Sequence, residues 1–75
     1  MPHIIVKMYP GRTEDQKVEL TARIVDAVTD TLKADSHSIS VGIEEIPSEE
    51  WTEAVYKPDI LKKEDTLYKK PGYHA

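Results

Sequence analysis

From the amino terminus, residues 3 to 9 (His-Ile-Ile-Val-Lys-Met-Tyr) are rich in β-forming side chains and stop at Pro10-Gly11, which predicts a first strand closed by a turn. Alternation places Ile4, Val6 and Met8 on one face. Ile5 lies among His3, Lys7 and Tyr9 on the other, so that second face is expected to be partly covered as well. Thr13, with Gln16 three residues on, has capping-box spacing, and Glu14 and Asp15 suit the positive end of a helix dipole. A helix is therefore predicted from here to about Lys33. At about 100° per residue, Leu20, Ile24, Ala27, Val28 and Leu32 form one stripe, and Val18, Ala22 and Val25 widen it beyond what one small sheet covers. The opposite face carries Glu19, Arg23, Asp26 and Asp30, with Arg23 placed to pair with Glu19 and Asp26, and reads as solvated surface. After a loop over 34–37, residues 38 to 46 alternate again; Ile39, Val41 and Ile43 share one face, while Ser40 and Gly42 leave the other low.

Strand, helix of about twenty residues and strand make a βαβ unit, which implies an α/β fold with a parallel strand pair and a right-handed crossover. Two strands alone make a poor sheet, so two protomers are expected to extend the pair across a dimer. Beyond Pro47, Ser48 is expected to cap a short helix through Trp51 and Val55, and Asp59, after Pro58, to cap another containing Ile60, Leu61, Leu67 and Tyr68. The tail, residues 69–75, is turn-like. The chain thus reads as a single domain over 1–75, with a βαβ core at about 3–46 and a C-terminal helical segment and tail at 47–75.

Length sharpens the expectation of a partner. A chain of 75 residues buries only about 60% of its unfolded surface, and with no cysteine it has neither disulfides nor a thiolate-bound metal to compensate. Self-association remains, as a homodimer in preference to a hexamer. The net charge of −4, from 14 acidic and 10 basic residues, disfavours nucleic acid as a partner. No apolar stretch is long enough to span a membrane, and residues 1–9 lack the basic start and long apolar core of a signal peptide, which points to a cytoplasmic protein without a membrane partner.

The usual chemistry-bearing motifs are missing. There is no cysteine nucleophile and no glycine-rich phosphate loop, and His3, His37 and His74 have no metal-ligand spacing, so neither metal nor organic cofactor is expected. His3 sits beside Pro2 but on the opposite face of an ideal strand, and His37 lies in the loop before the second strand; both read as surface histidines. One unusual group remains. If Met1 is removed, Pro2 becomes an N-terminal secondary amine able to accept a proton, and an apolar pocket with a nearby arginine would lower its pKa toward the working range of a general base. A proline after methionine occurs in many proteins, however, and alone assigns no function.

Pro2 opening a strand, Pro10-Gly11-Arg12 before a capped helix, and a βαβ layout of this size resemble the 4-oxalocrotonate tautomerase family over roughly residues 2 to 51. That resemblance implies that Pro2 moves a proton between oxygen and carbon of an enol, that Arg12 binds a substrate carboxylate, and that Trp51, after the second strand, lines an apolar pocket. Family members acting on the dicarboxylate 2-hydroxymuconate carry a second arginine on the second strand, where this chain has Ser40. The stretch MPHI, the Ser-Ile-Ser-Val strand leading to Ile-Pro-Ser-Glu-Glu-Trp, and the terminal Lys-Lys-Pro-Gly-Tyr resemble a longer-tailed, dimeric branch with phenylpyruvate-type activity. The expected function is a cofactor-independent tautomerase acting on 2-keto acid enols such as phenylenolpyruvate or on 2-hydroxydienoates. Two other readings stay open at this point: a non-catalytic oligomeric binding module, and a decarboxylase or hydratase using the same proline amine.

Overall fold

In the computed structural model, which describes residues 1–75, strand β1 (His3–Met8) pairs in parallel with strand β2 (Ser40–Glu45). The register runs without a slip from His3 opposite Ser40 to Met8 opposite Glu45. Helix α1 (Glu14–Leu32) connects the two and packs against β2, completing the βαβ unit. The chain divides into two compact units, Met1–Glu45 and Ile46–Ala75.

The start of α1 is set by local chemistry. Thr13 Oγ1 accepts from the Gln16 N–H at 3.1 Å, and Gln16 Oε1 accepts from the Thr13 N–H at 2.9 Å, so two backbone donors that a helix end leaves unpaired are satisfied reciprocally. At the other end Lys33 takes the left-handed conformation, φ 58°, and stops the helix without the glycine usually found there.

The face that α1 turns inward keeps Ile24 and Val28 of the stripe read in the sequence and is displaced at the stripe's other positions. Lys17, Thr21, Ile24, Val25 and Val28 are half-buried, whereas Leu20, Ala27 and Leu32 are exposed. Lys17 causes the offset. Its stem lies on the sheet side while its ammonium bonds Glu14 at 2.9 Å and Glu45 of β2 at 3.3 Å, so a charged residue occupies a place that hydropathy assigns to an apolar one. Of Arg23's two expected partners, Glu19 is paired with it.

Strand β2 begins two residues later than the alternation suggests. Asp35 Oδ1 accepts from His37 N at 3.0 Å, and the Asp35 carbonyl takes both the N–H and the hydroxyl of Ser38. These bonds wind Ser36–Ser38 into a 3₁₀ turn. The sheet face away from the helix stays open: Ile5 is 48% exposed, and a side chain at Gly42, its opposite number, would meet no atom within 4 Å. No residue of Met1–Glu45 is fully buried.

The second unit departs furthest from expectation. Ser48 does not cap a helix: Pro47 holds that position, Ser48–Glu50 is a 3₁₀ turn, and the Ser48 hydroxyl donates to Glu49 instead. Asp59 does not start a new helix either, because a π-helical segment, Thr52–Leu61, runs straight through Pro58. The proline ring would clash with the carbonyl four residues back in an α-helix, and i→i+5 winding, seen in the Lys62 N–H to Lys57 carbonyl bond of 3.1 Å, relieves that crowding. Leu67 and Tyr68 fall after a final 3₁₀ turn, Glu64–Thr66. Val55 and Tyr56 of this segment are the chain's buried apolar residues. No helix is long and apolar enough to cross a membrane.

Because the capping box is exposed and local, Thr13→Ala should lower stability by about 1 kcal/mol in urea unfolding. A change below a few tenths would mean that tertiary packing alone fixes the helix start.

Candidate active site

The residues with distinctive chemistry lie at opposite ends of β1. At its start Pro2 is half-buried, and its carbonyl accepts from the Ser40 N–H at 3.1 Å. The next side chain, His3, meets the same residue through Nδ1, 2.6 Å from Ser40 Oγ. While Met1 is attached the Pro2 nitrogen is a tertiary amide with no usable basicity, and Met1 itself is fully exposed, in contact with nothing that would resist its removal.

At the far end the chain turns through Pro10-Gly11. Gly11 has φ 123°, a conformation L side chains rarely adopt, and although space is open around it the backbone there requires glycine. This turn delivers Arg12 to the mouth of α1, where Met8, Arg12, Gln16, Lys17 and Leu20 line a cleft of about 220 Å³. Two of the five are cations, but they are not equivalent. The hydrogen bond that Lys17 donates to Glu14, and then the one it donates to Glu45, hold its ammonium's pKa above the ordinary value, and those carboxylates neutralise its field. Arg12 enters no ion pair, so it is the cation available to an incoming anion, with the apolar surfaces of Met8 and Leu20 beside it. A second hollow of about 390 Å³ on the same helix is lined by Glu14, Lys17, Val18, Thr21, Val41, Ile43 and Glu45. Its two carboxylates would repel a carboxylate ligand.

The strand sets the separation of the two ends. Six residue steps from Pro2 to Met8, at about 3.3 Å each, amount to roughly 20 Å. Arg12 shares a cleft with Met8, so within one chain about the length of β1 lies between that cleft and Pro2. The third residue singled out in the sequence, Trp51, belongs to the C-terminal unit. It is half-buried, and its indole N–H donates to the Tyr73 hydroxyl at 2.9 Å. The Tyr73 ring lies 5.7 Å from that of Tyr56, tilted by 40°, which ties the tail to the buried part of the unit. His37 caps nothing and serves the 3₁₀ turn through its backbone.

Two contacts escaped the sequence reading. The His3–Ser40 bond follows from strand register, which alternation alone leaves undetermined by whole two-residue steps. Tyr73 lies in a segment rich in turn residues, where the only signal was an aromatic residue after Pro71-Gly72.

Comparison with known proteins agrees with this architecture. The family described as "Tautomerase enzyme" matches residues 2–55. A protein of Xylella fastidiosa named "Probable tautomerase" is 44% identical over 73 residues, covering 97% of this chain and 89% of its own. Tautomerase PptA of Escherichia coli is 39% identical over 74 residues, covering 97% of both chains, so the match includes the C-terminal tail. Among solved structures, YwhB, a homologue of 4-oxalocrotonate tautomerase, superimposes with a TM-score of 0.60 at 41% identity, over 61% of this chain and 75% of its own. A 4-oxalocrotonate tautomerase isozyme of Methylibium petroleiphilum gives 0.63 at 33% identity, over 64% and 75%. With a parallel βαβ unit that opens on Pro2, and these matches along nearly its whole length, the chain belongs to the 4-oxalocrotonate tautomerase family and is an isomerase.

Proposed function

We propose that this isomerase interconverts the enol and keto forms of a 2-keto acid bearing an apolar end, of the phenylenolpyruvate type, in a site shared between two copies of the chain in a cytoplasmic homodimer. Pro2, freed of Met1, is the base and then the acid. Its neutral nitrogen takes the proton of the enol hydroxyl, the electron pair of the broken O–H bond forms the carbonyl, and the pair of the carbon–carbon double bond takes the proton back from the prolinium at C3. Nothing is oxidised or reduced. Arg12 of the second copy holds the carboxylate, and Trp51 supplies an apolar wall.

The observation that carries the shared site is the length of β1. The Arg12 cleft lies beside the end of β1 and Pro2 at its start, whereas antiparallel apposition of two copies would bring the start of one β1 to the end of the other. The exposed Ile5, Val18 and Leu32 and the open face at Gly42 support association. Ser40 in place of a second arginine supports the monoacid, since a second carboxylate would lose its hydration without gaining a partner.

Three outcomes test this reading. Met-free protein should turn over phenylenolpyruvate, with kcat/KM rising with pH as the amine deprotonates, while Met-retaining protein of the same fold should be inactive; the two are separated by intact mass. Equal rates would leave a non-catalytic binding module as the better reading. In the same assay phenylenolpyruvate should exceed 2-hydroxymuconate in kcat/KM, and the reverse order would remove the monoacid assignment. Finally, Arg12→Ala should cost about 1.5–3 kcal/mol of transition-state stabilisation. Mixing that variant with Met-retaining chains, dissociating and reassembling them, should then restore about a quarter of wild-type activity, because half the dimers are mixed and each has one intact site. No recovery would place base and anchor on one chain.

A further inference from the structure

Ser40 brings no charge to its position at the start of β2. In this structure it holds both residues of the peptide bond that leads into β1. The Ser40 N–H donates to the Pro2 carbonyl at 3.1 Å, and the Ser40 hydroxyl meets His3 Nδ1 at 2.6 Å. His3 and Ser40 face each other directly in the strand register, so neither contact needs a displaced backbone. We propose that Ser40 and His3 form a latch that sets the orientation of the N-terminal proline, as positioning residues for the base. The proposal rests on Pro2 being that base.

The need for a latch follows from what removal of Met1 does. An N-terminal residue has no preceding peptide to hold it, and chain ends fray. The pyrrolidine ring removes one torsion, and the bonds to Ser40 fix the peptide plane that follows. A single rotation, about the Pro2 Cα–C bond, then remains between that plane and the nitrogen lone pair. A backbone rung alone, at the last position of a two-stranded sheet, opens easily. The side-chain bond makes Ser40 a two-point hold, in which loss of either contact leaves the other nearby to re-form it.

The chemistry of the pair also suits a site that handles protons. A serine hydroxyl both donates and accepts. It can give its proton to Nδ1 of a neutral imidazole and accept one from an imidazolium, so the contact survives either charge state of His3. An arginine at position 40 could not make this bond to a protonated histidine.

The test uses full-length Met-free protein and compares Ser40→Ala, His3→Leu, His3→Asn and the double variant Ser40→Ala/His3→Leu. Three quantities are measured: kcat and KM for phenylenolpyruvate, amide hydrogen exchange at position 40, and carbon-13 relaxation of the Pro2 ring. Ser40→Ala and His3→Leu should each lower kcat about three- to tenfold, the worth of an ordinary hydrogen bond, with KM changed by less than about twofold. Exchange at position 40 should quicken and the ring should become more mobile. The double variant should be no slower than the worse single one, because the two substitutions break the same bond. His3→Asn, which keeps a hydrogen-bonding atom close to the place of Nδ1, should restore wild-type values. Unchanged exchange and ring mobility in Ser40→Ala would overturn the latch itself. Quicker exchange with unchanged kcat would overturn its positioning role and leave Pro2 as base. If Met-free wild-type protein were inactive, the base assignment would fail, while exchange and relaxation would still decide whether Ser40 holds the N-terminus.

Discussion

The parallel pairing of β1 with β2 is the constraint from which the rest of the structure follows. Parallel strands cannot be joined by a tight turn, so the chain must cross over, and a nineteen-residue helix is what it uses. The same pairing fixes which residue faces which: the in-step register puts His3 against Ser40 and Met8 against Glu45. From the first of these pairs comes the hold on Pro2. The second brings β2's last carboxylate to Lys17, so that one pairing organises both ends of the unit.

That ammonium explains an apparent contradiction in the helix. A lysine among half-buried positions looks like an error of patterning, yet with two carboxylates at 2.9 and 3.3 Å it bridges the first turn of α1 to the end of β2. Its pKa is raised in the folded chain, so this contribution is fully present below the ordinary lysine value of 10.5 and is lost only as pH rises beyond it through the folded value. Across the neutral range the tie is constant. A cation already held by two carboxylates offers little field to a third, which leaves Arg12 as the unpaired cation of the cleft.

The legibility of the fold tracks the range of the interaction behind each feature. Thr13 and Gln16 announced the helix start because a capping box is complete within four residues. The two strands and their parallel sense followed from alternation and from the length between them. What failed needed information from elsewhere in the chain. Lys17 lies inward because Glu45, twenty-eight residues away, is there to receive it. Pro58 stands inside a helix because the winding widened around it, a choice that a propensity scale built on α-helices cannot register. In the candidate site, Pro2, Arg12 and Trp51 were singled out as residue types by their order along the chain. The placing of Pro2 and Arg12 at opposite ends of β1 was not legible there, because it depends on Arg12 sharing a cleft with Met8.

That separation links assembly to activity under the proposed function. A chain with no fully buried residue in its first 45 has an incomplete core, and under that function association would supply the missing cover. If base and anchor also come from different copies, the apolar surface that drives association and the polar groups that do chemistry are under one selection. A substitution at Ile5 or Val18 that weakened the contact would then lower activity without touching the site. Such a protein needs no deep pocket of its own. On that reading each copy would contribute a shallow cleft beside Arg12 and a proline bonded through its carbonyl to Ser40, and the enclosure that an enol requires would arise only where two copies meet.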